Sequence, residues 1–399
     1  VAALMGAQEF GFATAPLIVM GCKMLRVCSM DTCPFGVATQ NEKNRARFPG
    51  KPEYGENNMR FVARQLRQIM AELGLKTLDE MCGRSDLLAL RTNLPEGRGR
   101  LLDLSRLLAG AEGRAEVSEP AFNGTGEELK DTVDAKELLK RFEKDNGNAL
   151  KNAASLKIKC TDRTLGTLLG SEIQKKYGSS LEDDAFRVDF EGGAGQSFGA
   201  FIPKGLTLRL TGDVNDGAGK GLSGGKIVIR APQAFKETSQ ENIIAGNAAF
   251  FGATFGRGFV NGSAGERFCV RNSGAVVVCE GTGDHALEYM TGGTAVILGP
   301  SGKNVAAGMS GGTAYILDEK HDLYKRLNSE LVTMYDLDDE TTVLKDKTDE
   351  EYLKQLIEEH VRETDSVPGK KILADWSRYR NCFKKVIPDD YLRIMNGAE

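Results

Sequence analysis

Between about residue 200 and residue 320, apolar and polar positions alternate in short runs, each opened by a glycine. GLTLRL (205–210), GKIVIR (225–230), GAVVVC (274–279), GTAVIL (293–298) and GTAYIL (312–317) share this form, and their first glycines lie 20, 49, 19 and 19 residues apart. Alternation in segments rich in Val, Ile and Leu predicts a strand in each. The 49-residue gap has room for two turns and an insertion: the polar PQAFKETSQEN (232–242) is the predicted insertion and RGFVNG (257–262) the sixth rung. A period near 19 with one strand per repeat is too short for a propeller blade, and the L-x-x-L-x-L pattern of leucine-rich repeats is missing. What remains is a β-helix, in which each strand pairs in parallel with its copy in the next coil. Glycine then recurs where a corner needs positive φ or close backbone approach.

The pattern differs on either side of this region. VAALMGAQEFGFAT (1–14) reads as a helix end, Gly6, a strand-like segment Ala7 to Phe12, and a new helix opening at Thr14 and Pro16. That is the strand–loop–helix order of the last unit of a β/α barrel, where backbone amides after the strand face a phosphate. Phe61, Val62, Leu66, Ile69, Met70 and Leu73 fall at helical spacing and predict a packing helix over 58–73, with a second helical stretch over 78–90. Residues 93–127, rich in Gly, Pro, Glu and Arg, read as a linker. Beyond Asp318, helices are expected over 321–334 and 350–363, on either side of acidic DLDDETT. The run 375–395, with the sole tryptophan, Trp376, forms a tail that either packs back on protein or stays solvated. The expected domains are 1–50 (barrel end and cysteine loop), 51–150 (helices and linker), 151–318 (glycine repeat) and 319–399 (helical tail).

Composition narrows the function classes. With 399 residues, 41% hydrophobic and 27% charged, the chain can bury more than one core. A net charge of −4 gives no basic field for nucleic acid or an anionic membrane. The longest apolar stretch, Ala13 to Met20, is too short to span a bilayer and lacks the basic flank of a secretion signal. The expected setting is therefore cytoplasmic, with the eight cysteines reduced rather than paired. Opening on Val1 inside an apolar run, the chain reads as a piece of a longer polypeptide.

Three of those cysteines crowd into GCKMLRVCSMDTCPFG as Cys22-x5-Cys28-x4-Cys33. Neither gap is the C-x-x-C of a zinc knuckle or redox pair, and a zinc site would need a fourth ligand from far along the chain. Three thiolates suit an iron–sulfur cluster, and Pro34 after the last cysteine matches the C-P ending of ferredoxin runs. Iron–sulfur, zinc and unliganded core thiols all stand on the residues alone.

GAQEFGFATAPLIVMGCKMLRVCSMDTCPFGVATQ resembles the end of the flavin barrel and the cluster loop of the glutamate synthase large subunit. GAGQSFGAF (193–201), GDVNDGAGKGLSGGKIVIR (212–230), AGERFCVRNSGAVVVCEG (264–281) and EYMTGGTAVILG (288–299) are similar to its C-terminal right-handed β-helix, and FKKVIPDDYLRIM to its closing segment. The resemblance implies a mainly β chain: a right-handed parallel β-helix preceded by an α-rich segment and followed by a helical tail. It also implies that Cys22, Cys28 and Cys33 ligate a [3Fe–4S] cluster and that the amides of Gly11, Phe12, Ala13 and Thr14 wrap the phosphate of FMN. The implied partners are the rest of the large subunit and, as electron donor, ferredoxin or a small flavin- and iron–sulfur-containing subunit. The whole enzyme would make glutamate from glutamine and 2-oxoglutarate. This chain lacks an N-terminal Cys nucleophile, so no catalytic residue is assigned to it and in isolation it is expected to be inactive. A non-catalytic β-helix that docks partners in a redox complex is the alternative.

Other motifs carry less. GAGKGLSGGK (217–226) misses the spacing of a phosphate loop and falls in a repeat corner. GTGDHA (281–286) lacks the third glycine of a dinucleotide fingerprint. His285 beside Asp284 and Glu288 is expected to be a hydrogen-bonded loop histidine rather than an acid–base group, and Cys269 and Cys279 to face the coil interior.

Overall fold

The computed structural model describes residues 1–28, 32–91, 102–109, 129–144, 150, 155–339, 341, 343–344 and 346–397. The linker expected over 93–127 lies outside them except for 102–109, which contain one helical turn, Ser105–Leu108. The chain divides into two compact units, Val1–Gly126 and Glu127–Glu399. No helix among the described residues is long and apolar enough to cross a membrane.

In the first unit, helix α1 spans Thr14–Val19 and helix α2 spans Pro52–Glu72. Pro52 sits at the start of α2, where its fixed φ is already helical and its missing N–H costs nothing. A small core gathers Ala3, Leu4, Met70 and Met81. Residues 7–12 do not form the expected strand, because a strand needs a partner edge and the described residues of this unit contain none. The stretch expected over 78–90 is two short pieces, Leu78–Met81 and Ser85–Leu87, separated by Gly83 in the left-handed conformation (φ +78°). The apolar stripe of α2 stays largely open: Met70 is its one buried residue, and Phe61 is 65% exposed.

The second unit begins with β1 (Leu156–Ile158) and α3 (Thr167–Tyr177). The coils follow: β2 (Phe186–Ala194), β3 (Leu206–Val214), β4 (Ser223–Arg230), β5 (Ile243–Ala245), β6 (Phe255–Ala264), β7 (Ser273–Thr282), β8 (Thr291–Ile297) and β9 (Gly311–Leu317). Strands β2-β3-β4-β6-β7-β8-β9 pair in parallel in that order, one per coil, as a parallel solenoid. All six predicted rungs are strands, and 233–241 form the insertion as a 3-10 segment. FRVDFEGGA, the rung of β2, has the alternation without a leading glycine and escaped the pattern.

The tail departs from expectation. In place of a helix over 321–334 there is a 3-10 turn, Leu323–Lys325, and a strand β10 (Val332–Asp336). Helices α4 (Asp349–Thr364) and α5 (Val367–Ala374) follow, then β11 (Phe383–Pro388). β11 lies antiparallel to β9 on one side and to β10 on the other, so cross-strand pairing fifty residues away overrides the local helical reading of 332–336. The two strands also cover the edge that the last coil would otherwise leave open.

Side-chain alternation explains where α4 sits. Inward positions Leu208, Leu210, Ile227, Ile229, Val277, Cys279, Ile297 and Ile316 fill the solenoid interior. The outward row reads, in register, Asp189, Arg209, Val228, Phe259, Val278, Val296, Tyr315. It turns apolar at Val228, and from there Leu353, Leu356 and Ile357 of α4 cover it. Strands buried on both faces read as continuous apolar runs such as VVVC and AVIL.

The corners use positive φ more widely than glycine placement implies. In successive coils the left-handed positions are Ser197, Gly199, Phe201; Gly217, Gly219, Gly221; Ala248, Phe250, Gly252; Arg267, Cys269, Arg271; and His285, Leu287, Tyr289. Their N–H groups donate alternately to the following and the preceding coil: Ser197 to Asp216 O (2.9 Å), Gly219 to Phe198 O (2.8 Å), Phe201 to Lys220 O (3.0 Å). This stacking holds non-glycine residues in a conformation that costs them about 1–3 kcal/mol each. Glycine is required at Gly219 and Gly221 for space, since a Cβ there would stand 2.6 Å from the Phe250 ring and 2.3 Å from the Phe201 ring.

Candidate functional site

The three clustered cysteines follow α1. Cys22 is half-buried, and its N–H donates to Leu17 O (3.0 Å), closing the helix end. Its sulfur accepts the N–H of Met24 (3.4 Å). Met24 and Arg26 both adopt positive φ (57° and 64°), which folds the loop back, and buried Val27 anchors it. Cys28 is exposed, residues 29–31 lie outside the description, and Cys33 is buried.

Cys33 differs from the two solenoid cysteines, Cys269 and Cys279. Burial pushes its thiol up, but the nearby backbone N–H groups of Ala38, Phe35, Val37 and Gly36 outweigh that and hold it below the ordinary value. Amide N–H groups near a sulfur favour its charged form. Cys279 is the opposite case: burial pushes its thiol up to about 12, and it donates to Gly262 O (3.2 Å) and Gly281 O (3.0 Å) as an inert core group. Cys269 is equally enclosed, so both lie in the coil interior as their strand and corner positions predict. Among the described residues, no group of three or more His, Cys, Asp or Glu stands close enough to hold a metal ion. Cys22, Cys28 and Cys33 are thus near in sequence without forming a converged ligand set. The donor chemistry is nevertheless compatible with a thiolate-bound cluster, because the Cys22 sulfur accepts a backbone N–H and nearby amides lower the Cys33 thiol.

Gly11, Phe12, Ala13 and Thr14 lie at the start of α1 and are exposed. Ala13 is the N-cap residue and supplies no side-chain acceptor, so the first amides of the helix are not capped by a side chain. Nothing lies within 4 Å of the position a Cβ would take on Gly11. Phe10, Phe12, Leu17 and Ile18 are each about half exposed, leaving an apolar surface around this segment.

Two features had no clear sequence signal. Segment 41–50 packs behind the cysteine turns: a Cβ on Gly36 would stand 2.5 Å from Asn44 O and 2.9 Å from Phe48 N, and one on Gly21 2.5 Å from Pro49 Cγ. In the second unit a buried network centres on Glu280. Its Oε1 accepts from Asn261 Nδ2 (2.8 Å) and Ser366 Oγ and lies 3.2 Å from His360 Nε2, and its Oε2 accepts from Ser239 Oγ (2.6 Å). It joins the insertion, two coils and the helical tail, and its complete burial makes it structural. His285 is a stacking residue: its Nδ1 lies 3.1 Å from Asn304 Nδ2, while Asp284 Oδ1 accepts the N–H of Lys303 (2.7 Å). GAGKG (217–221) is a solenoid corner, as its position in the repeat predicts.

Comparison with known proteins agrees with this division of the chain. The family model described as "GXGXG motif" matches residues 134–389, and the one described as "Conserved region in glutamate synthase" matches residues 1–76. The chain is 46% identical to "Glutamate synthase [NADPH] large chain" of Bacillus subtilis over 100% of its own length and 26% of that protein's. It is 43% identical to "Glutamate synthase [NADH]" of Schizosaccharomyces pombe, covering 99% of this chain and 18% of the relative. It is also 43% identical to "Ferredoxin-dependent glutamate synthase 2" of Synechocystis, covering 97% and 24%. The chain therefore spans about a quarter or less of the length of these relatives. By the motif that matches most of its length and the glutamate synthase region at its start, the chain belongs to the GXGXG-motif family and corresponds to part of a glutamate synthase large chain.

Proposed function

We propose that this chain is the cluster-bearing, scaffold part of a glutamate synthase, whose complete form makes glutamate from glutamine and 2-oxoglutarate. Cys22, Cys28 and Cys33 would hold a [3Fe–4S] cluster, which supplies one-electron transfer when bound. Cys33 would contribute a sulfur whose thiol is held below its ordinary value by nearby amides, and Cys22 one that accepts the Met24 N–H. The amides of Gly11 to Thr14 would contact the phosphate of FMN at the open end of α1. The half-exposed Phe10, Phe12, Leu17 and Ile18 support the reading that the remaining part of the large chain completes the flavin site around them. Ferredoxin or a small flavin- and iron–sulfur-containing subunit would be the donor. No reacting group is assigned to the solenoid.

The triplet Cys22, Cys28 and Cys33, inside residues 1–76 that match the conserved region in glutamate synthase, carries the proposal. It is tested by assaying iron and acid-labile sulfide on the complete large chain carrying Cys28→Ser or Cys82→Ser, prepared anaerobically in parallel. Iron is expected to fall sharply in the first and to stay unchanged in the second. Full iron in Cys28→Ser, or an equal loss in Cys82→Ser, refutes the ligand assignment. The second reading, a scaffold that docks partners without a cluster, is favoured by the lack of a converged ligand group among the described residues. It predicts a colourless protein.

A further inference from the structure

Phe201, Phe251 and Phe255, on adjoining coils of the solenoid, are 58%, 43% and 63% exposed, and none of them belongs to a core cluster. The corner stacking brings them together. Gly221 N–H donates to Phe251 O (2.7 Å), and the Phe201 ring lies over Gly221, 2.3 Å from a would-be Cβ. Ser223, whose Oγ donates to Phe201 O (3.2 Å), pairs with Phe255 across the coils. Phe201 sits at φ +59°, a conformation that bulky residues adopt rarely, whereas the equivalent corner positions of the next two coils are Gly221 and Gly252. The chain bears backbone strain there and gains a ring more than half exposed, which points to a contact outside the coil. Beside Phe255 a groove of about 250 Å³ crosses the rung openings, with Gly225, Gly256 and Gly274 in its lining. Glycine at those places lets another backbone come close.

We propose that this aromatic face is where the part of the large chain outside these residues packs on the solenoid, and that the segment covering it is apolar at its centre and acidic at its edge. Two observations choose that occupant. The chain amounts to 26% or less of the length of the large chains it matches, so a long stretch of tethered polypeptide is available to the face at high effective concentration. The second is charge. Lys204 lies beside Gly224, Lys220 precedes Gly221, and exposed Arg271 follows Gly252 in the same corner column; none of the three has an ion pair among the described residues. Of the two acids lining the groove, Asp184 is paired with Lys226 (2.6 Å), and Asp183 is outnumbered by those cations. A second copy of this chain would bring the basic rim against its own like, whereas an acidic edge complements it. Aromatic rings at the centre and charges at the rim are the arrangement of a protein–protein contact. The proposal draws on the scaffold half of the reading above and is independent of the cluster.

The test is hydroxyl-radical footprinting of this chain and of the complete large chain, read residue by residue by mass spectrometry and dosed against added free phenylalanine. Phe201, Phe251 and Phe255 are expected to oxidise about fivefold or more slowly in the complete large chain, where a dry contact shields them. Equal rates overturn the proposal. Slow rates in both chains also overturn it, since a second copy or residues 1–126 would then already cover the face. The double variant Phe201→Gly, Phe255→Ser separates contact from stability. Glycine is what the next two coils carry at the place of Phe201, so this chain alone is expected to keep its urea midpoint. In the complete large chain carrying both changes, Phe251 is expected to regain the fast oxidation it shows in this chain. A lowered midpoint in this chain makes the rings structural, and a Phe251 that stays shielded removes the other two as anchors; either result overturns the assignment. Lys204→Glu and Arg271→Glu are expected to expose Phe251 in the complete large chain in the same way, and no change with both refutes the acidic edge. None of these readouts depends on iron, so a failed cluster assignment leaves them intact.

Discussion

The solenoid predicts a difference between two glycines with the same sign of φ. Gly293 opens one rung at φ +80°, and a Cβ built on it would lie 2.4 Å from Ala275 O and 2.9 Å from Asn272 Nδ2, both belonging to the preceding coil. Gly252, at φ +60°, has nothing within 4 Å of the same position. An alanine at either site pays about 1–2 kcal/mol for the left-handed backbone. At Gly293 the methyl must also move from 2.4 Å to an ordinary carbon–oxygen contact of about 3.3 Å or more. That parts the coils by about 1 Å beside the Thr294–Val276 pair, an overpacking strain of about 1–3 kcal/mol. Gly293→Ala is therefore expected to destabilise by about 2–5 kcal/mol and Gly252→Ala by about 1–2 kcal/mol. Urea unfolding of the two variants, followed by far-UV circular dichroism, measures the difference as a shift in midpoint at constant slope. Equal midpoints in the two variants would refute the claim that stacking between coils, rather than φ alone, demands glycine at rung openings.

Two further outcomes follow from buried polar groups. Asp134 accepts the N–H of Gly166 (2.8 Å) and of Leu168 (2.9 Å) and so caps α3, whose own N-cap residue has no side chain. Asp134→Ala should cost about 2–4 kcal/mol by urea unfolding, and a cost under about 0.5 kcal/mol would show the cap to be idle. Burial opposes ionisation of Glu280, but hydrogen bonds from His360, Ser239 and Ser366 more than offset it and hold the carboxyl below its ordinary value. A depressed folded value stabilises fully above the unfolded carboxyl pKa, about 4.3, and the contribution disappears as pH falls through the folded value. Glu280→Gln should thus cost about 2–4 kcal/mol near pH 7 and flatten the acid side of the stability profile. An unchanged slope between pH 5 and pH 3 would exclude Glu280 as a source of acid sensitivity, those limits being about one unit either side of that pKa.

Much of the fold was legible because a solenoid repeats one local rule. Five rungs advertise themselves by a leading Gly and alternation, and the polar insert at 232–242 stands out against the repeat. What escaped depended on distant partners. VTMYD became β10 because β11 lies beside it, and AQEFGF stayed irregular because the described residues of its unit offer it no strand to pair with. FRVDFEGGA lies outside the glycine pattern because Ala185 precedes it where Gly205 precedes the next rung, and positive φ elsewhere in the coils is met by Ser197, Phe201 and His285 as well as by glycine. Stacking hydrogen bonds between coils pay part of that strain, so the residue type at a corner under-reports its backbone conformation.

The cysteine segment shows the same limit at the level of chemistry. Spacing alone left iron–sulfur, zinc and core thiols open, since a ligand set is defined in space and thiol counts carry no directions. The structure separates the cysteines by what surrounds each sulfur: carbonyl oxygens around Cys279, which favour a protonated thiol, and amide N–H groups around Cys33, which favour a thiolate. Pro34 and Gly36 are the sequence marks of that second environment. Proline removes one N–H at the start of the turn, and glycine permits the positive φ (+72°) that the turn takes at position 36. CPFG therefore carries chemical information that the intervals between the cysteines lack, because its turn places amides that lower the thiol of a sulfur those intervals only count.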